Sequence, residues 1–157
     1  MISVLQRVWF RVALFAWAGI LPTLCYKRDL KSVIALVNAP ARAPYSGLPA
    51  GYIIFRVKRA TRRPWFMRDR RCLREGVLAY RFLKLAGFEP EVHFGVDRAS
   101  VSSIRLQAHC WVILDGHVVL NPPEPSMVEI LVLRNGSDGT TQFENFTVAG
   151  GSKASLV

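Results

Sequence analysis

Cys72-Leu73-Arg74-Glu75-Gly76 and Ala108-His109-Cys110-Trp111-Val112 decide how this chain reads. The first opens an apolar-periodic segment, Cys72–Ala86, whose spacing predicts a helix stopped by Gly87. The second lies in the run Leu106–Leu114, which predicts a strand. At about 100° per residue, Cys72, Gly76, Ala79, Leu83 and Ala86 share one helix face, with Arg74 and Arg81 opposite. Small Gly76 and Ala79 let that face approach a sheet closely. Cys72 would then sit at the positive end of the helix dipole, which lowers a thiol's pKa. A cysteine so placed and a histidine on the adjoining sheet make a nucleophile and its base. The plain alternative is a cysteine that only fills a core.

Outward from these segments, Glu91–Val96 predicts a strand in which Val92 and Phe94 alternate against His93. Asp115-Gly116 turns the chain back as His117–Asn121, and Pro122-Pro123 ends that strand. Both faces of the hairpin are largely apolar, so burial on both sides is expected. A two-residue turn pairs Leu114 with His117 and sends His109 and Asn121 to opposite faces. A three-residue loop with Gly116 at positive φ pairs Ile113 with His117 and sets Asn121 across from His109. The functional reading requires the second, with the Asn121 amide orienting the imidazole in a Cys72-His109-Asn121 set. Cys110 alternates away from His109 and is structural. His93 lines a cleft or a sheet edge, and His117 is a solvated turn residue. Cys72, His93 and His109 form no compact ligand motif, so neither a metal nor another cofactor is expected.

The N-terminal stretch Met1–Tyr26 is the most hydrophobic in the chain. Arg7 and Arg11 interrupt it, and the uncharged run Val12–Tyr26 is shorter than the ~20 residues of a spanning helix. No small-x-small cleavage site follows. The expectation is a helix ended by Pro22 and packed on the domain or a partner, with membrane contact or insertion as the alternative. Asp29 caps a second helix, Leu30 to about Val37, and a third, about Tyr52–Arg63, is stopped by Pro64. Met127–Leu133 and Gln142–Val148 read as strands. The chain divides into an N-terminal helical segment (1–40), a connector with a basic helix and loop (41–71), an α+β core (72–148) and a tail (149–157).

Net charge is +10, and basic residues crowd the span from Arg56 to Arg74. The functional reading of that span is an electropositive rim beside Cys72 that draws in an acidic substrate and favours thiolate. The plain reading is a solvated helix face. Arg68, Arg70, Arg71 and Trp111 are the candidate substrate contacts. Trp65 and Phe66 could stack on bases, yet no nucleic-acid module surrounds them, so no nucleic-acid partner is expected. The cysteine count, 3, is odd and lacks metal spacing, which predicts a reduced, cytosolic protein, membrane-associated if the first helix meets lipid.

Several blocks together carry a family resemblance. They are Cys72-Leu73-Arg74, Ala79-Tyr80-Arg81-Phe82-Leu83, Ala86-Gly87-Phe88-Glu89-Pro90, His93-Phe94-Gly95-Val96, and Ala108-His109-Cys110-Trp111-Val112 with Asp115-Gly116. The chain resembles the lasso-peptide leader peptidases, the B proteins of lasso-peptide biosynthesis, within the transglutaminase-like cysteine-protease superfamily. The resemblance covers about Arg56–Asn121 and extends more loosely to the apolar N-terminal helices. It implies a papain-like α+β fold and a Cys-His-Asp triad, with the cysteine at Cys72 and the histidine at His109. Where that family has aspartate this chain has Asn121, and where it usually has alanine after the histidine this chain has Cys110. The implied activity is a cysteine peptidase that removes the leader from a ribosomally made precursor peptide in a bacterial pathway. The implied partners are that precursor, a small leader-binding protein and an asparagine-synthetase-like macrocyclase. The alternatives are a non-catalytic precursor-binding scaffold of the same fold and a transamidase using the same acyl-enzyme.

Overall fold

A computed structural model describes residues 4–27, 43–62, 70–102 and 107–134. Among them are the helices α1 (Val4–Lys27), α2 (Ala50–Thr61) and α3 (Arg71–Lys84) and the strands β1 (Glu91–Asp97), β2 (Ala108–Leu114), β3 (His117–Leu120) and β4 (Met127–Leu133), with a 3₁₀ turn at Arg98–Ser102. The strands form one antiparallel sheet in the order β3-β2-β1-β4. This is an α+β arrangement. The expected elements Leu30–Val37 and Gln142–Val148, the stop at Pro64, and Trp65, Phe66 and Arg68 lie outside the described residues.

α3 is central. Its sheet side is closed by Gly76, where a Cβ would fall on Cys110 Sγ, so a side chain there would push the helix off β2. Its other side is covered by α1 and α2. Arg74, expected on a solvated face, is therefore buried, with a guanidinium nitrogen 3.5 Å from the Ala60 carbonyl. Arg81 lies half-buried with its guanidinium 3.9 Å from the Trp17 ring centre. The helix stops at Gly87 as its sequence predicts. Gly87 takes φ +88°, its N–H bonds the Lys84 carbonyl (2.9 Å), and the Phe88 N–H reaches back to Leu83 (3.1 Å). This bond pair satisfies carbonyls that the helix end would otherwise leave open.

α1 does not end at Pro22. The helix runs 24 residues through it, and Pro22 is buried. Proline removes one N–H near the helix end, and packing of Phe10, Leu14, Ala18 and Leu21 into the core offsets that loss. The argument that this segment is too short to cross a membrane also fails. The stretch Val4–Leu24 has the length and apolar composition of a span, counted from before Arg7 and Arg11 rather than from Val12.

The hairpin departs from the expected three-residue loop. Leu114 pairs with His117, and Asp115 (φ 51°) and Gly116 (φ 77°) both take left-handed backbone. Such a two-residue turn matches the right-handed twist of the flanking strands, and Asp-Gly suits it. A bulge then shifts the register between Val112 and Ile113, so that Ile113 faces Val118 but Val112 faces Leu120. Val119 is the extra residue. It flips the alternation once and returns Asn121 to the face parity of His109. The expectation of burial on both hairpin faces holds only in part, since β3 is an edge strand and Val118 is exposed.

Candidate active site

Two local features open an edge of the sheet. β3 has four residues against seven in β2, and its last pair is Val112 with Leu120. The strand cannot continue because Asn121 turns at φ 51° into Pro122-Pro123, neither of which has an N–H to donate. The start of β2, including His109 and Cys110, thus runs past the end of its neighbour, and the N-terminus of α3 sits there. The Cys72 sulfur lies close enough to the backbone N–H groups of Cys110, Leu73 and Cys72 for their dipoles to favour its thiolate. The thiol is therefore held against the residue that follows His109.

His109 is half-buried and donates from Nε2 to the backbone carbonyl of Asn121 at 3.2 Å. A carbonyl only accepts, so this contact places the proton on Nε2 and leaves Nδ1 as the basic nitrogen. The Asn121 side-chain amide donates to the backbone carbonyl of Cys72 at 3.3 Å. Asn121 thus lies beside His109 and ties the imidazole to the cysteine turn. Its roles are divided differently from the sequence-based expectation: the main chain, not the amide, is the imidazole's acceptor. Among the described residues no hydrogen bond joins the Cys72 thiol to the His109 ring. Alternation turns Cys110 toward α3 and His109 toward the other face, so the cysteine turn and the ring are linked around the sheet's edge through Asn121.

The ring is backed by an aromatic ladder. Trp111 stacks with His109 (centroids 6.3 Å apart) and with His93 (5.6 Å). Gly95 makes room for it, since a Cβ there would lie 2.9 Å from the indole. Trp111 is only 5% exposed, so it supports His109 rather than offering the substrate surface expected of it. His93 is buried with Nδ1 2.5 Å from Glu129 and Nε2 3.1 Å from Glu91, which fixes the ladder's far end. His117 is exposed in the turn, as expected. Among the described residues no group of three or more histidines, cysteines or carboxylates is arranged to hold a metal ion.

The electrostatics differ from the expected thiolate-favouring rim. Burial pushes the Cys72 thiol up, the nearby Glu75 carboxylate adds to that, and the three backbone N–H groups oppose it without prevailing. Glu75 is buried against Arg71 Nε (2.8 Å) and the Thr61 hydroxyl (2.8 Å), so the Arg71 charge is turned toward Glu75. Arg70 is half-exposed beside it, and Arg68 lies outside the described residues. The sequence reading missed the Cys110 N–H, the Asn121 carbonyl and Glu75. The prolines after Asn121 were the available signal for the first, because they cut β3 short.

A pH dependence follows. A raised thiol pKa means little thiolate at neutral pH, so alkylation of Cys72 by iodoacetamide should climb with pH and reach half its maximum above the usual thiol value. Cys110, buried and pushed well above the usual value, should not compete. Glu75→Gln removes a negative charge and should move the midpoint down. A wild-type rate already level below pH ~8 would mean a resting thiolate–imidazolium pair, against this geometry.

A family model described as the Transglutaminase-like superfamily matches residues 24–131. No curated protein and no solved structure matches the chain. The match covers more than half of the sequence and spans Cys72, His109 and Asn121, the three residues that the fold gathers at one sheet edge. By that match the chain belongs to the transglutaminase-like superfamily.

Proposed function

We propose that this chain is a cysteine peptidase that removes the leader from a ribosomally made precursor peptide during lasso-peptide maturation. The observation that carries the chemistry is Asn121, which bridges the cysteine turn to the His109 ring while the Cys72 thiol lies beside the Cys110 N–H. The blocks around Cys72, His93 and His109 carry the choice of substrate through their resemblance to the lasso-peptide leader peptidases. Nδ1 of His109 takes the thiol proton as the thiolate attacks the scissile carbonyl, the oxyanion is met by the Cys72 N–H, and the imidazolium protonates the leaving amine. Water then releases the acyl group; an amine in its place would make the enzyme a transamidase. A leader-binding protein delivers the precursor, and an asparagine-synthetase-like cyclase closes the released core. The thiol proton moves only once substrate is seated, which accords with a resting pair that shares no hydrogen bond.

The absence of that bond also favours a second reading, a scaffold that binds the precursor without cutting it. Incubation of the chain with precursor and leader-binding protein, followed by mass spectrometry, separates the two. New leader and core fragments support the peptidase, whereas binding of intact precursor supports the scaffold. Asn121 refines the test. Asn121→Gly keeps both the carbonyl and the left-handed backbone and should retain most cleavage. Asn121→Ala strains φ at about 1 kcal/mol and should lose about tenfold. If Gly and Ala are equally inactive, the amide rather than the carbonyl orients the ring.

A further inference from the structure

We propose that α1 and α2 together form a docking face for an anionic lipid bilayer, with α1 lying in the plane of the interface. The argument starts from a helix that is apolar on both sides. Phe10, Leu14, Ala18 and Leu21 are buried in the core, while Val8, Trp9, Val12, Phe15 and Ile20 on the other side are each about half exposed or more. A globular helix normally puts polar residues on its outer face. A run of such side chains on one helix makes a contiguous apolar surface that seeks a partner.

The buried side decides how the helix meets that partner. Val4–Leu24 could cross a bilayer by length and composition. To do so it would have to withdraw Phe10 from the rings of Tyr45, Tyr52 and Phe82, and Trp17 from Arg81. A cleaved or spanning segment has no use for a core face. A helix lying flat uses both faces at once, one toward the protein and one toward acyl chains.

Charge identifies the surface. Arg7 and Arg11 are exposed at the border between the two faces, and Arg11 Nε bonds Tyr52 Oη of α2 at 3.1 Å. α1 and α2 pack on each other and on the side of α3 away from the sheet, so they form one layer. The outer face of α2 carries Phe55, 58% exposed, among Lys58, Arg59 and Arg62. An apolar stripe edged with long basic side chains fits lipid tails beneath anionic headgroups. An apolar protein groove would leave those cations without counterions.

The test uses the full chain and vesicles of phosphatidylcholine with or without phosphatidylglycerol. Wild type should float with the anionic vesicles, bind at least ~10-fold less to the neutral ones, and come off in carbonate. The triple change Val8→Glu, Val12→Glu, Phe15→Glu should abolish binding, and Lys58→Gln, Arg59→Gln, Arg62→Gln should weaken it at least ~10-fold. Both variants should keep a cooperative thermal transition, because none of these side chains is buried. Lack of binding by folded wild type would overturn the proposal, as would undiminished binding by the Glu variant. Carbonate resistance with protease protection of α1 would show a span. Loss of self-association in the Glu variant, without vesicle binding in wild type, would show a second copy as the occupant.

Discussion

Cys72→Ala should reduce cleavage of the precursor by at least ~10⁴-fold in kcat/KM, because in the proposed mechanism this thiol forms the acyl bond. Cys110→Ala should keep most of the activity. The group that Cys110 supplies to the thiol is its backbone N–H, which alanine retains. Its own sulfur is buried against α3, so its loss should appear as stability, about 1–2 kcal/mol for a small buried apolar group. The pair distinguishes nucleophile from neighbour although their sulfurs belong to one interface. Rates come from mass-spectrometric time courses and stability from denaturant melts. A folded Cys72→Ala protein with wild-type turnover would remove this thiol from the mechanism, and an inactive but folded Cys110→Ala protein would reassign it.

Gly76→Ala should be the most damaging small change in the core. Alanine in a helix is worth about 1 kcal/mol over glycine, yet here its Cβ would fall on Cys110 Sγ, with Val92 at 3.6 Å behind it. Overpacking of this kind costs about 1–3 kcal/mol, and the neighbour is the short, buried side chain of Cys110 rather than the end of a long flexible one. The expected net loss is about 1 kcal/mol, a fall of roughly 2–4 °C in Tm for a chain of this size. Activity should fall further than stability, since α3 pushed off β2 carries the Cys72 sulfur away from the Cys110 N–H. In a Cys110→Ala background the same glycine change should be neutral or stabilising. Two changes that add within about 0.5 kcal/mol would show that helix and strand do not meet at this point.

The limits of the sequence reading follow the range of the interactions. The stop at Gly87 was legible because it depends on one residue's freedom at positive φ and on bonds a few positions away. The small-residue face of α3 was legible from spacing, and so was its approach to a sheet. Arg74 was misplaced because periodicity reports one apolar face, whereas α1 and α2 cover this helix from the other side. Pro22 was read by its local rule, and core packing on either side of it prevailed. Asn121 was placed beside His109 by a demand of function, and the contact is made by a carbonyl, a group that every residue carries and no sequence reveals. The thiol's chemistry was read from the helix dipole alone; burial, a property of the whole fold, outweighs it. Trp111 was taken for a surface contact because nothing local says that Gly95 opens a place for the indole.

The bulge at Val119 has a consequence for how this hairpin is compared with others. A two-residue turn followed by a bulge within the strand and a three-residue loop with its bulge at Gly116 use the same single odd residue, and both return position 121 to the parity of position 109. Lineages could therefore exchange one for the other by losing a residue in one place and gaining it in the other. In an alignment, the gap belongs inside β3 in one case and at the turn in the other. Gap penalties that forbid breaks within strands would shift Asn121 by one column and report its position as vacant when it is filled.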